Sequence, residues 1–105
     1  DSSENFENKL DDAMAKLENT SGILVLTDMF GGTPSQVSMT KHHTGRVEVM
    51  TGASLPMLIK ALQICAQEIS LLDAAKQIKQ SGTRAIVIAS EVLGVTQSSN
   101  EGESQ

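Results

Sequence analysis

A single cysteine, Cys65, in 105 residues excludes an internal disulfide and fits a reducing compartment, the cytoplasm. No apolar run reaches the roughly 20 residues of a membrane span, and no charged-then-apolar secretory leader opens the chain. Positive charge is scarce: 8 Lys and Arg stand against 13 Asp and Glu, for a net charge of −5. That balance argues against generic affinity for nucleic acid or an anionic membrane. Neither a G-x-x-x-x-G-K-[ST] loop nor a G-x-G-x-x-G fingerprint occurs, which removes the usual nucleotide-binding readings. No second cluster of His, Cys or spaced acids accompanies the pair His42-His43, so a metal site has no support. No internal repeat is visible, and the length suits one domain.

What is present centres on Gly22-Ile23-Leu24-Val25-Leu26-Thr27-Asp28-Met29-Phe30-Gly31-Gly32-Thr33-Pro34-Ser35-Gln36. The run Gly22 to Leu26 is almost uniformly apolar, as suits a parallel strand covered on both faces. Asp28 then falls at the carboxyl end of that strand, where open α/β sheets bind ligands. Gly31 and Gly32 allow positive φ and close backbone approach. Thr33 reads as an N-cap, Pro34 as the first helical residue, and Gln36 as the far end of a Thr-x-x-Gln capping box. In this reading the N–H groups of Ser35 and Gln36 point back toward Asp28. A helix start favours an anion while Asp28 attracts a proton or cation, and a phosphorylated imidazole satisfies both. The competing reading is a tight turn with no ligand.

Around this turn the pattern predicts an α/β domain. A helix from Ser2 to Glu18, started by an Asp1/Glu4 capping box, carries Phe6, Leu10, Ala13, Met14 and Leu17 on one face. Its acids read as a solvated face, with Asp12 and Lys16 paired at i,i+4. A short helix runs from Ser35 to Lys41, and His42 and His43 close it or lie in a loop beyond. Either is remote from Asp28 at about 1.5 Å of rise per residue. Arg46 to Met50 reads as the second strand of a βαβ unit, and Thr51-Gly52-Ala53-Ser54 returns to the same rim. Leu55, Leu58, Ile59 and Leu62 form a helical stripe assigned to the core, and Cys65 reads as a small buried helix residue. Ser70 and Asp73 start a further helix that Gly82 stops. Ala85-Ile86-Val87-Ile88-Ala89, within Arg84 to Ser90, reads as a last strand, and Val95 to Gln105 as a disordered polar tail.

Asp28-Met29-Phe30-Gly31-Gly32-Thr33-Pro34, followed by Thr51-Gly52-Ala53-Ser54-Leu55-Pro56-Met57-Leu58, resembles the mannose-family IIA component of the bacterial phosphoenolpyruvate-dependent sugar phosphotransferase system. The resemblance runs from about Asp1 to Gly94. It implies an open, mainly parallel sheet with helices on both faces, and a C-terminal strand given to a neighbouring subunit in a homodimer. It implies a cytoplasmic phosphocarrier without a cofactor, taking a phosphoryl group on a histidine from the phosphocarrier protein HPr and passing it to a IIB component. The membrane is then met only through the transporter subunits. Asp28 and Thr33 take catalytic roles, Gly31, Gly32, Thr33 and Ser35 hold the phosphoryl group, and Phe30, Gly52 and Ser54 belong to the docking face.

The family's acceptor histidine, in a Thr/Ser-His-Gly turn after a first strand, has no counterpart in this sequence. Either an amino-terminal third is lacking, which the absence of an initiating Met favours, or the chain is a non-phosphorylatable regulatory module of the same fold. A response-receiver reading would make Asp28 the acceptor but lacks the upstream acidic pair for Mg²⁺. With the first strand missing, Gly22 to Leu26 would present an unpaired apolar edge, and the chain is expected not to persist as an isolated monomer.

Overall fold

The computed structural model describes residues 2–29 and 31–94. The expectations for Asp1 as a cap, for Phe30 and for the tail from Val95 to Gln105 lie outside the described residues.

The chain folds as α1 (Ser2–Ala15), β1 (Ile23–Leu26), α2 (Thr33–Met39), β2 (Val47–Met50), α3 (Leu55–Ile64), α4 (Leu71–Arg84) and α5 (Ala89–Val92). β1 and β2 pair in parallel, with Ile23 opposite Val47 and Leu26 opposite Met50. This is the expected α/β arrangement with a parallel sheet, reduced to two strands among the described residues. Alternation along the strands sends Leu24, Leu26 and Met50 to one face, where they pack on the buried Met57 and Ile64 of α3 and Ile78 of α4. Ile23 and Val47 are buried on the other face.

Two ionic contacts hold the first half together. Lys41, just past α2, reaches Glu7 at 2.6 Å and Asp11 at 3.0 Å, one turn apart on α1. Hydrogen bonds to Glu7 and then Asp11 raise the Lys41 pKa above its ordinary value of 10.5. Part of the supposed solvated face of α1 therefore docks α2, and the Asp12–Lys16 pair is not among the ion pairs of the described residues. Arg46 donates to the carbonyls of Leu17, Glu18 and Thr20, satisfying acceptors at the turn after α1 and placing a cation there. Sequence patterning read Arg46 only as the start of a strand.

Several expectations are corrected. α3 is apolar over most of its circumference, with Lys60 and Gln63 on the remaining side, so two stripes compete for one buried face. Met57, Ala61 and Ile64 win it, leaving Leu55 at 68% and Leu62 at 75% exposure, with Leu58 and Ile59 also exposed. Cys65 is the exposed C-cap of that helix, its thiol donating to the Leu62 carbonyl. Ala85–Ala89 forms no strand: Ile86, Val87 and Ile88 are 80%, 65% and 59% exposed, and Ala89 begins α5. A strand is defined by its ladder, and this segment has no partner among the described residues. The Ser70–Asp73 start is as expected, with the Ser70 hydroxyl accepting the Asp73 N–H at 3.0 Å.

Gly82 does not stop α4, which continues to Arg84. Its place is explained by packing, because a Cβ there would lie 2.7 Å from Cγ of the buried Met57. Alanine at 82 gains up to about 1 kcal/mol in helix propensity, while overpacking costs about 1–3 kcal/mol. Gly82→Ala should thus lower stability in urea unfolding by about 1 kcal/mol, and the same change in a Met57→Ala background should raise it. A stabilising Gly82→Ala in the otherwise unchanged chain would contradict the close packing.

Candidate functional site

The site is built where the two strands end. Beyond the strand residues, the Thr27 N–H donates to the Met50 carbonyl at 2.9 Å, and the Ala53 N–H donates to the Thr27 carbonyl at 2.8 Å. These bonds join the two sequence motifs, so that Asp28 leaves the sheet beside the turn Thr51-Gly52-Ala53-Ser54. The turn depends on Gly52, whose φ of +73° is costly for any side-chain-bearing residue. Thr27 is 7% exposed, and its hydroxyl has no partner among the described residues. Asp28, the next residue, is exposed and makes no ion pair or hydrogen bond among the described residues.

The chain then crosses Gly31, at φ +100°, into α2. Here the expected capping is corrected. Gly32, with φ −83° and ψ 168°, is the N-cap, and Thr33 and Pro34 are the first two helical residues. Thr33 forms no capping bond, and its exposed side chain makes no hydrogen bond among the described residues. The Gln36 N–H, expected to face Asp28, instead closes the first helical bond onto the Gly32 carbonyl at 2.9 Å. The Gln36 side-chain amide donates to the Gly31 carbonyl at 3.3 Å. Ser35 is 1% exposed; its hydroxyl accepts the Gly31 N–H at 2.8 Å and donates to the Gly32 carbonyl at 3.1 Å. Gly31 thus spends its N–H inside the protein. The N–H groups of Gly32, Thr33 and Ser35 fall in the stretch of a helix start that has no intrahelical acceptor.

Both histidines lie at the opposite end of the sheet. The His43 N–H donates to the Val47 carbonyl at the start of β2, whereas Asp28 follows the end of β1. Four strand residues intervene, about 13 Å. His42 approaches Glu48 at 3.6 Å and is exposed. Among the described residues no group of three or more His, Cys, Asp or Glu is placed to hold a metal ion. Nor is any helix long and apolar enough to cross a membrane.

Ser54 caps α3 in extended conformation, and its hydroxyl is buried without a partner. It opens onto a cleft of about 740 Å³ along β2, lined also by Thr51, Gly52, Met57, Lys76 and Ile86. A second cleft, of about 690 Å³, lies beside β1 and is lined by Leu24, Leu26, Ile64 and Leu71. Each strand of the pair therefore borders open space.

Residues 1–79 match the family model described as the PTS system fructose IIA component. The chain is similar to the PTS system mannose-specific EIIAB component of Escherichia coli strain K12, 30% identical over 93 residues and 82% of this chain. The component of the same name from Shigella flexneri matches equally. The chain spans 28% of the length of each of these relatives. Among solved structures, the phosphotransferase system component EIIA from Streptococcus agalactiae superposes with a TM-score of 0.70 at 27% identity, over 85% of this chain and 68% of that one.

The geometry separates two threonine and glycine roles. Thr33→Ala should change thermal stability by less than about 0.5 kcal/mol, because no cap is lost. Gly52→Ala should cost about 1–2 kcal/mol, because the left-handed backbone is strained. The reverse ranking in thermal melts would restore Thr33 as the cap.

Proposed function

Because the chain belongs to the IIA family of the fructose and mannose branch of the sugar phosphotransferase system, we propose that it acts as a phosphocarrier domain, receiving a phosphoryl group from HPr and delivering it to a IIB component during sugar uptake. The observation that carries this reading is the exposed, unpaired carboxylate of Asp28 at a rim shared with Gly31, Gly32 and the free hydroxyl of Thr33. Asp28 accepts the N–H of the acceptor imidazole, fixing its tautomer and raising its basicity. The Thr33 hydroxyl and the amides after Gly31 meet the phosphoryl oxygens, so that positioning and electrostatics do the catalytic work. Gly52 and Ser54, with Phe30, form the docking face for HPr and IIB. No cofactor enters this chemistry, and the site of action is the cytoplasm.

The imidazole comes from outside these 105 residues, since His42 and His43 lie at the far end of the sheet. It arrives on a strand laid along the open edge of β1, where the 690 Å³ cleft lies. The edge of β2 is completed by Ala85–Ala89 of a second copy in a homodimer. The exposure of Ile86, Val87 and Ile88 and the apolar cleft beside β2 support that exchange. The remoteness of both histidines also favours a second reading, a regulatory module of the same fold that binds phosphotransferase proteins without carrying phosphate.

Intact-mass measurement of the natural gene product separates the two readings. Incubation with phosphoenolpyruvate, the first enzyme of the system and HPr should add one phosphate to a carrier; an unchanged mass leaves the regulatory module. Native mass spectrometry of the same sample should show two copies per particle, and single copies would exclude the strand exchange.

A further inference from the structure

Ser35 is buried beneath the glycine turn and bonded to it twice. Its hydroxyl takes the Gly31 N–H at 2.8 Å and gives its own proton to the Gly32 carbonyl at 3.1 Å. At 1% exposure the side chain has no access to a ligand. The neighbouring Gln36 side-chain amide donates to the carbonyl of the same glycine, Gly31, at 3.3 Å. At Gly31 nothing outside its chain neighbours lies within 4 Å of the position a Cβ would occupy, so no packing on that side holds its φ of +100°. Hydrogen bonds are what hold it. Asp28 and Thr33 flank this turn, and its conformation sets the distance between the carboxylate and the hydroxyl.

We infer that Ser35 is a positioning residue for phosphoryl transfer, acting through the Gly31–Gly32 turn and not by touching the phosphoryl group. The inference rests on the phosphocarrier reading. In that transfer the P–N bond to the donor imidazole of HPr breaks as a P–N bond to the acceptor imidazole forms, and the donor ring takes up a proton as the acceptor ring gives one up. Asp28 serves the acceptor ring, and Thr33 serves the oxygens in flight. Losing the Ser35 hydroxyl leaves the Gly31 N–H without its acceptor and frees the turn, so the two groups cease to be held at one spacing. Misplacement on the scale of 1 Å is worth up to about a hundredfold in rate.

The test compares Ser35→Ala and Ser35→Thr in the natural gene product, with phosphorylated HPr as donor. Ser35→Ala should lower kcat by about tenfold to a hundredfold while leaving KM for phospho-HPr unchanged, and it should increase hydrogen exchange at the Gly31 amide. Ser35→Thr, which keeps the hydroxyl, should recover most of kcat. A Ser35→Ala protein that transfers at the wild-type rate overturns the inference alone, as does one in which KM rises and kcat does not fall. A wild-type protein that accepts no phosphoryl group overturns the functional reading, and this inference with it.

Discussion

The hydrogen bond from the Ala53 N–H to the Thr27 carbonyl is the contact on which the site depends. It carries the pairing of β1 and β2 one step past the last strand residues, and so converts two separate sequence motifs into one rim. A four-residue strand pair is a modest scaffold, and a sheet of two strands needs a covering layer to persist. α3 and α4 supply it on one face through Met57, Ile64 and Ile78. Gly52 permits the turn that brings Ala53 into place, and Gly82 permits α4 to lie close to Met57. The candidate site residues are then held by backbone geometry at the strand ends, where exposed side chains such as Asp28 do not carry the fold.

The glycine turn divides its polar groups between a bonded set and an exposed one. The buried Ser35 hydroxyl and the exposed Gln36 amide both bond Gly31, whereas the side chains of Asp28 and Thr33 are exposed and make no hydrogen bond among the described residues. A buried hydroxyl is expensive when unpaired, so Ser35 must keep its bonds to Gly31 and Gly32 for the turn to hold its shape. The exposed set has no such obligation and remains open to a partner. The same division separates the ends of the sheet: His42 and His43 shape the loop that enters β2, and Asp28 stands at the exit of β1.

Much of this was legible in the sequence because it rests on local signals. The apolar run before Asp28, the paired glycines and the Thr-Pro step located the strand, the turn and the helix, and Ser70 with Asp73 marked the start of α4. The errors arose where two local solutions were equally good and tertiary contacts chose between them. Thr33 could cap α2 on pattern alone, but Gly32 takes that position and Ser35 turns inward to the glycines. Leu55, Leu58, Ile59 and Leu62 have the period of a core stripe, yet Met57, Ala61 and Ile64 on the same helix have it too. Ala85–Ala89 has the composition of a strand, but a ladder needs a neighbour that composition does not supply. The reach of Lys41 back to α1 and of Arg46 to the turn after it joins residues more than 25 apart, which no periodicity reveals.

The proposed phosphoryl transfer turns on the carboxylate of Asp28 orienting an imidazole at the sheet rim. Single-turnover transfer from phosphorylated HPr to the natural gene product, measured for wild type, Asp28→Asn and Asp28→Ala, tests it most directly. Loss of the carboxylate partner of a metal-bound imidazole costs about 10- to 100-fold, and the same scale is expected for an imidazole that attacks phosphorus. Both variants should therefore transfer that much more slowly while melting at the wild-type temperature, since Asp28 holds no other group. Transfer by Asp28→Ala at the wild-type rate would contradict the account.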